Sequence, residues 1–113
     1  MLIHFDAMED TVIEHMRGGA GRVIARMHTD PNAKIMRGTL EPGCSIGLHT
    51  HETNSEVIYI LSGTGKVLCD GTYEPLAAGS CHYCPQSHQH SLINDSDGLL
   101  TFFAVVPEHG PAR

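Results

Sequence analysis

Turn-forming clusters recur so closely along this chain that a long helix has no room between them. Asp30-Pro31-Asn32, Glu41-Pro42-Gly43, Ser62-Gly63-Thr64-Gly65, Asp70-Gly71, Ala78-Gly79 and Asn94-Asp95-Ser96-Asp97-Gly98 follow one another at short intervals. Between them lie runs rich in β-branched and aromatic residues: Arg22–His28, Lys34–Leu40, Val57–Leu61, Lys66–Cys69 and Leu99–Val106. Short strands at near-regular spacing predict an all-β sandwich or barrel. Residues 1–20 are ambiguous. Met8 to Met16 has room for a turn or two of helix, which Gly18-Gly19-Ala20-Gly21 would end.

Two of the expected strands, Val57–Leu61 and Leu99–Val106, are apolar on both faces. A single antiparallel barrel needs only alternate residues inside, so something must cover the second face. A homodimer is the expected cover; residues 1–28 folding over the face within a monomer is the alternative. The 113 residues are the size of one domain and bury a core without a staple. A metal would therefore be a working part rather than a folding requirement.

The formal charge of −6, with seven Lys and Arg, gives no electrostatic footprint for nucleic acid, and no basic amphipathic stretch suggests a membrane surface. The first residues lack the charged and apolar regions of a signal peptide. The expected location is the cytoplasm, where Cys44, Cys69, Cys81 and Cys84 would stay reduced.

Nine histidines exceed the roughly two or three that average usage gives this length. His49-Thr50-His51 sets two imidazoles on one face of a strand. After the polar turn Thr53-Asn54-Ser55, Glu56 opens the next strand, expected to lie antiparallel beside the first. His90 follows in His88-Gln89-His90-Ser91. Three imidazoles and a carboxylate suit one divalent transition metal (Mn, Fe, Co, Ni, Cu or Zn) and disfavour Ca and Mg.

Gly43-x5-His49-x-His51-x4-Glu56-x6-Gly63 resembles the first motif of the cupin family, and Gly79-x5-Pro85-x-Ser87-x2-His90-x3-Asn94 its second. The resemblance implies a double-stranded β-helix, or jelly-roll, barrel occupying residues 1–113 as one domain. Residues 43–94 would carry the motifs, and residues 1–28 would cover the barrel or dimer face. It implies metal ligation by His49, His51, Glu56 and His90, with coordination positions left open for a small-molecule ligand or substrate. One position departs, since the family usually has glycine where this chain has Ser87.

His88 shares parity with His90 and is the candidate proton carrier, a loop position being the alternative. His82 is expected at the surface or a dimer contact. In Cys81-His82-Tyr83-Cys84 the two thiols face opposite sides of a strand and a second C-x2-C is missing, which disfavours a zinc ribbon or redox motif. Cys44 and Cys69 read as small buried apolar residues, and Tyr59 and Tyr83 as core or interface residues. His4, His15, His28 and His109 receive no role.

Two functional classes remain. One is a metal-dependent enzyme acting on a small chelating metabolite. Iron would favour oxygenase chemistry, and Mn, Zn or Ni isomerase, lyase or decarboxylase chemistry. The other is a non-catalytic sugar- or metabolite-binding module. Ile58 and Ile60 share Glu56's parity, so the pocket wall beyond the metal is expected to be apolar.

Overall fold

Ten strands run through residues 1–111, the part of the chain that the computed structural model describes. The last two residues of the expected 1–113 domain lie outside the described residues. The strands are β1 (Thr11–Glu14), β2 (Arg22–Thr29), β3 (Ala33–Leu40), β4 (His49–Thr50), β5 (Glu56–Ser62), β6 (Thr64–Cys69), β7 (Thr72–Ala77), β8 (Cys81–Cys84), β9 (Gln89–Ile93) and β10 (Leu100–Pro107). They form two antiparallel sheets, β1-β2-β3-β10-β5-β8 and β4-β9-β6-β7. This is the jelly-roll barrel that the spacing of turns and the two motifs imply.

The turns act as their chemistry dictates. Asp30 Oδ1 accepts from the Asn32 and Ala33 N–H groups at 2.8 and 3.1 Å, the side-chain turn that lets β2 double back on β3. Asp70 and Gly71 both hold positive φ, 48° and 83°, which the tight β6–β7 hairpin requires. Between turns the chain alternates. β10 buries Leu100, Phe102 and Ala104 inward, and β5 buries Glu56, Ile58 and Ile60. The apolar residues among them meet Val67 and Leu92 of the second sheet in one core.

Two expectations are corrected. Met8 to Met16 does not form an α-helix. Thr11–Glu14 pairs as β1 with β2, setting Val12 against Ile24 and Ile13 against Val23, and β-branched residues with a ready sheet edge favour the strand over so short a helix. Only single 3₁₀ turns, Phe5–Ala7 and Met16–Gly18, flank it. Nor does β5 lie beside β4. The two-residue β4 pairs with β9, and β5 pairs with β10 and β8 in the other sheet. The Thr53–Ser55 turn therefore crosses between sheets, and Glu56 faces the histidines across the barrel.

The outer face of the six-stranded sheet is covered in part by the N-terminal residues. The Phe5 ring meets Phe103 edge-on at 6.3 Å between centroids. The Arg37 guanidinium stands 5.7 Å over Phe5 and pairs with Asp6 at 2.8 Å. Further across, Tyr59, Leu61 and Tyr83 stay 43%, 44% and 58% exposed, so both tyrosines are surface residues rather than core.

Candidate metal centre

Hydrogen bonding along β4 and β9 sets His49 directly opposite His90. Two contacts beyond the short ladder fix that register. Ser91 Oγ donates to the Ile46 carbonyl at 2.6 Å, and the Ser87 N–H donates to the His51 carbonyl at 2.7 Å. Ser87 holds φ 74°, so the loop keeps the left-handed geometry for which the motif usually has glycine. His51 follows β4 and turns inward, and Glu56 enters from β5 opposite.

The four side chains meet at one point, their ligand-type atoms all within 4.8 Å of one another. Glu56 Oε1 lies 2.9 Å from His90 Nε2, 3.1 Å from His51 Nε2 and 4.0 Å from His49 Nε2. The other nitrogen of each ring is engaged behind the cluster. His49 Nδ1 donates to the Gly47 carbonyl at 2.7 Å. His51 Nδ1 donates to Asn54 Oδ1, and His90 Nδ1 stands 2.9 Å from His82 Nε2. A carbonyl oxygen only accepts, so the proton of neutral His49 sits on Nδ1 and its Nε2 lone pair faces the centre. His51 is fixed the same way by the amide oxygen of Asn54. Outer partners that orient ring nitrogens in this manner are the usual surroundings of metal-binding histidines.

The electrostatics agree. Burial raises the Glu56 carboxyl, but the His51 and His90 rings, when protonated on Nε2 as well, outweigh it through hydrogen bonds and charge and bring the group to about 2. Burial lowers His51, while Glu56 and Asn54 lift it above its ordinary value and the Arg17 charge opposes them. Burial holds His49 and His82 below theirs. The centre is a buried carboxylate among imidazoles.

His49, His51 and Glu56 of the cluster form part of the wall of a cavity of about 150 Å³ that Met16, Met36, Ile46 and Val106 also line, with Arg17, Lys34, Asp30 and Glu108. This volume is below the roughly 300–1,000 Å³ of drug-sized ligand sites, so it suits a molecule of a few heavy atoms. Ile58 and Ile60 do face inward, but they are core residues and do not line this cavity. Its wall is part apolar and part charged, rather than the apolar wall expected from their parity.

Two histidines are placed differently from expectation. His88 is exposed, bonded to Asp70 through Nδ1, and absent from the cavity lining. Strand β9 starts at Gln89, so the parity that links His88 to His90 does not extend into the preceding turn. His82 is buried on the inner face of β8, where it backs His90. Cys84 is buried beside it, and Cys69 is only partly buried. Ligand-type atoms of Cys69, His82 and Cys84 form a second close group. Burial pushes the Cys84 thiol up to about 12 and raises Cys69, so both are neutral thiols. The inward alternation of His82 with Cys84 was the available signal for this group, and the C-x2-C spacing concealed it. His82→Ala is expected to weaken divalent-metal affinity about 10- to 100-fold, because His90 loses the partner that fixes its orientation; competition against a fluorescent chelator measures this.

Comparison with known proteins agrees with the geometry. The model of the family described as "Cupin domain" matches residues 36–106. The oxalate-binding protein of Thermotoga maritima is 32% identical over 112 residues, covering 94% of this chain and 93% of that protein. A Thermotoga maritima crystal structure described as a predicted oxalate decarboxylase superposes with a TM-score of 0.89 at 32% identity. That match covers 96% of this chain and 99% of the other. The Cnp3 cupin domain of Schizosaccharomyces pombe gives a TM-score of 0.75 at 10% identity over 93% of this chain and 72% of that one, a likeness of fold alone.

Proposed function

The chain belongs to the cupin family, and from that premise we propose that it holds one divalent transition-metal ion on His49, His51, Glu56 and His90 and captures a small chelating carboxylate of the oxalate class. The convergence of three imidazole nitrogens and one carboxylate oxygen, each ring tied from behind through Nδ1, carries this reading. A divalent ion there would supply a positive centre able to bind and polarise a pair of ligand oxygens. The protein supplies the rest. Second partners fix the rings, Met16, Met36, Ile46 and Val106 exclude water, and the small cavity limits the ligand's size.

Turnover of the bound acid is the second reading, and Glu108 favours it. This carboxylate lines the cavity, and its recorded side-chain contact is a long one, 3.5 Å from Asn54 Nδ2. Removing carbon dioxide from such an acid ends with a proton delivered to carbon, and Glu108 is placed to carry one. Calorimetric titration of Mn(II)-loaded protein with oxalate tests the first reading, and a coupled assay for formate tests the second. Metal-dependent binding with oxalate recovered unchanged supports capture, and formate release supports turnover. Failure of loaded protein to bind oxalate contradicts both.

A homodimer joined through the outer face around Tyr59, Leu61 and Tyr83 completes the reading, because Phe5 covers only the part of that face over Phe103. Light scattering is expected to give twice the 12.3 kDa chain mass, and a monomer at micromolar concentration contradicts it. We place the protein in the cytoplasm, with a small-molecule ligand and neither a nucleic-acid nor a membrane partner.

A further inference from the structure

Beside the ligand cluster, the cavity is lined by a residue whose backbone is unfavourable for its type. Arg17 holds φ 54° and ψ 29° within the turn Met16–Gly18, a left-handed conformation that side chains with a Cβ disfavour. The surrounding fold imposes it. The Gly47 N–H donates to the Met16 carbonyl at 3.0 Å and the Ser45 N–H to the Ala20 carbonyl at 2.9 Å. A Cβ on Gly47 would stand 2.1 Å from the Arg17 carbonyl oxygen. The turn is thus pinned to the segment that leads into His49. Positions 18, 19 and 21 are glycine, yet the strained position keeps an arginine. Strain held in place by its surroundings, next to a ligand cluster, points to a use for the side chain.

The charges of the cavity narrow that use. Asp30 is engaged by His28 and by two backbone N–H groups of its own turn, and Glu108 faces Asn54. Arg22, Arg26 and Arg37 pair with Glu41, Asp10 and Asp6. Among the described residues no carboxylate lies within ion-pair distance of Arg17 or Lys34, and both line the cavity.

We propose that Arg17 is the specificity-determining residue of this site, selecting ligands that carry a negative charge beyond the oxygens given to the metal, which means dicarboxylates over monocarboxylates of similar size. A guanidinium presents a planar fork suited to a carboxylate edge. The assignment rests on the metal-and-carboxylate reading above and deepens it.

Arg17→Gly and Arg17→Gln test it through three readouts on Mn(II)-loaded protein: metal stoichiometry, melting temperature without ligand, and Kd for oxalate and for glycolate. Metal content is expected to match wild type in both variants. Arg17→Gly is expected to melt at the same temperature or higher, since glycine relieves the strained backbone. Oxalate affinity is expected to fall about tenfold or more, the loss typical of a charge-assisted contact, with a smaller loss for glycolate. Unchanged oxalate affinity in the metal-loaded variants overturns the Arg17 assignment alone. A wild type that holds no metal overturns the reading beneath it, and the assignment with it.

Discussion

Glu56→Gln is expected to lower divalent-metal affinity by more than about 100-fold, beyond the loss that follows removal of an outer partner of a ligand. The amide keeps the shape of the side chain but removes, among the described residues, the one anionic group facing His49, His51 and His90. The substitution also changes acid stability, and the sign is fixed by the direction of the shift. Glu56 titrates at about 2 in the fold against an ordinary 4.5. Its contribution is therefore fully present above pH 4.5 and is lost as pH falls through about 2. His51 is shifted upward, so its contribution is present below its ordinary 6.5 and is lost as pH rises through its higher folded value. Chelator-treated wild type is thus expected to lose stability on both sides of a plateau. Glu56→Gln is expected to flatten the acid side, and melting curves from pH 2 to 9 read both effects. A variant that keeps wild-type metal affinity removes Glu56 from the ligand set.

Phe102→Ala is expected to destabilise the fold by about 3–5 kcal/mol, the usual range for losing a buried aromatic ring. Phe102 is fully buried near the middle of β10, with Gly38 of β3 on one side and Ile60 of β5 on the other. A Cβ on Gly38 would stand 2.5 Å from the ring, so the ring fills the space that glycine leaves. Alanine opens a cavity between the strands joining the two halves of the larger sheet, where neighbours collapse poorly. Urea denaturation is expected to show a lower midpoint with an unchanged slope. A loss below about 1 kcal/mol, the scale of a typical surface or minor change, means that the sheet repacks and that Phe102 is not central to it.

How much of this was legible before the structure follows from the range of each signal. Turn chemistry is local, so Asp30-Pro31-Asn32 and Asp70-Gly71 announced their hairpins. The meeting of His49, His51, Glu56 and His90 was legible because motif spacing records which residues a barrel brings together. Strand pairing is not local. Glu56 follows His51 by five residues and a hairpin was the simplest expectation, but the chain crosses to the other sheet. His88 was misplaced by carrying strand parity into a turn, and His82, expected at the surface or a dimer contact, instead shares the inward parity of Cys84 and backs His90. The strain at Arg17 has no sequence signature, because it arises from contacts with Ser45 and Gly47 nearly thirty residues away.

The most direct test of the central claim is the metal content of the untagged protein, purified without chelators and compared with a His49→Ala/His51→Ala double variant by elemental mass spectrometry. The account predicts about one equivalent of a divalent transition metal on wild type, with the variant folded and close to metal-free. Wild type without metal, or a variant that retains the same amount, would contradict it.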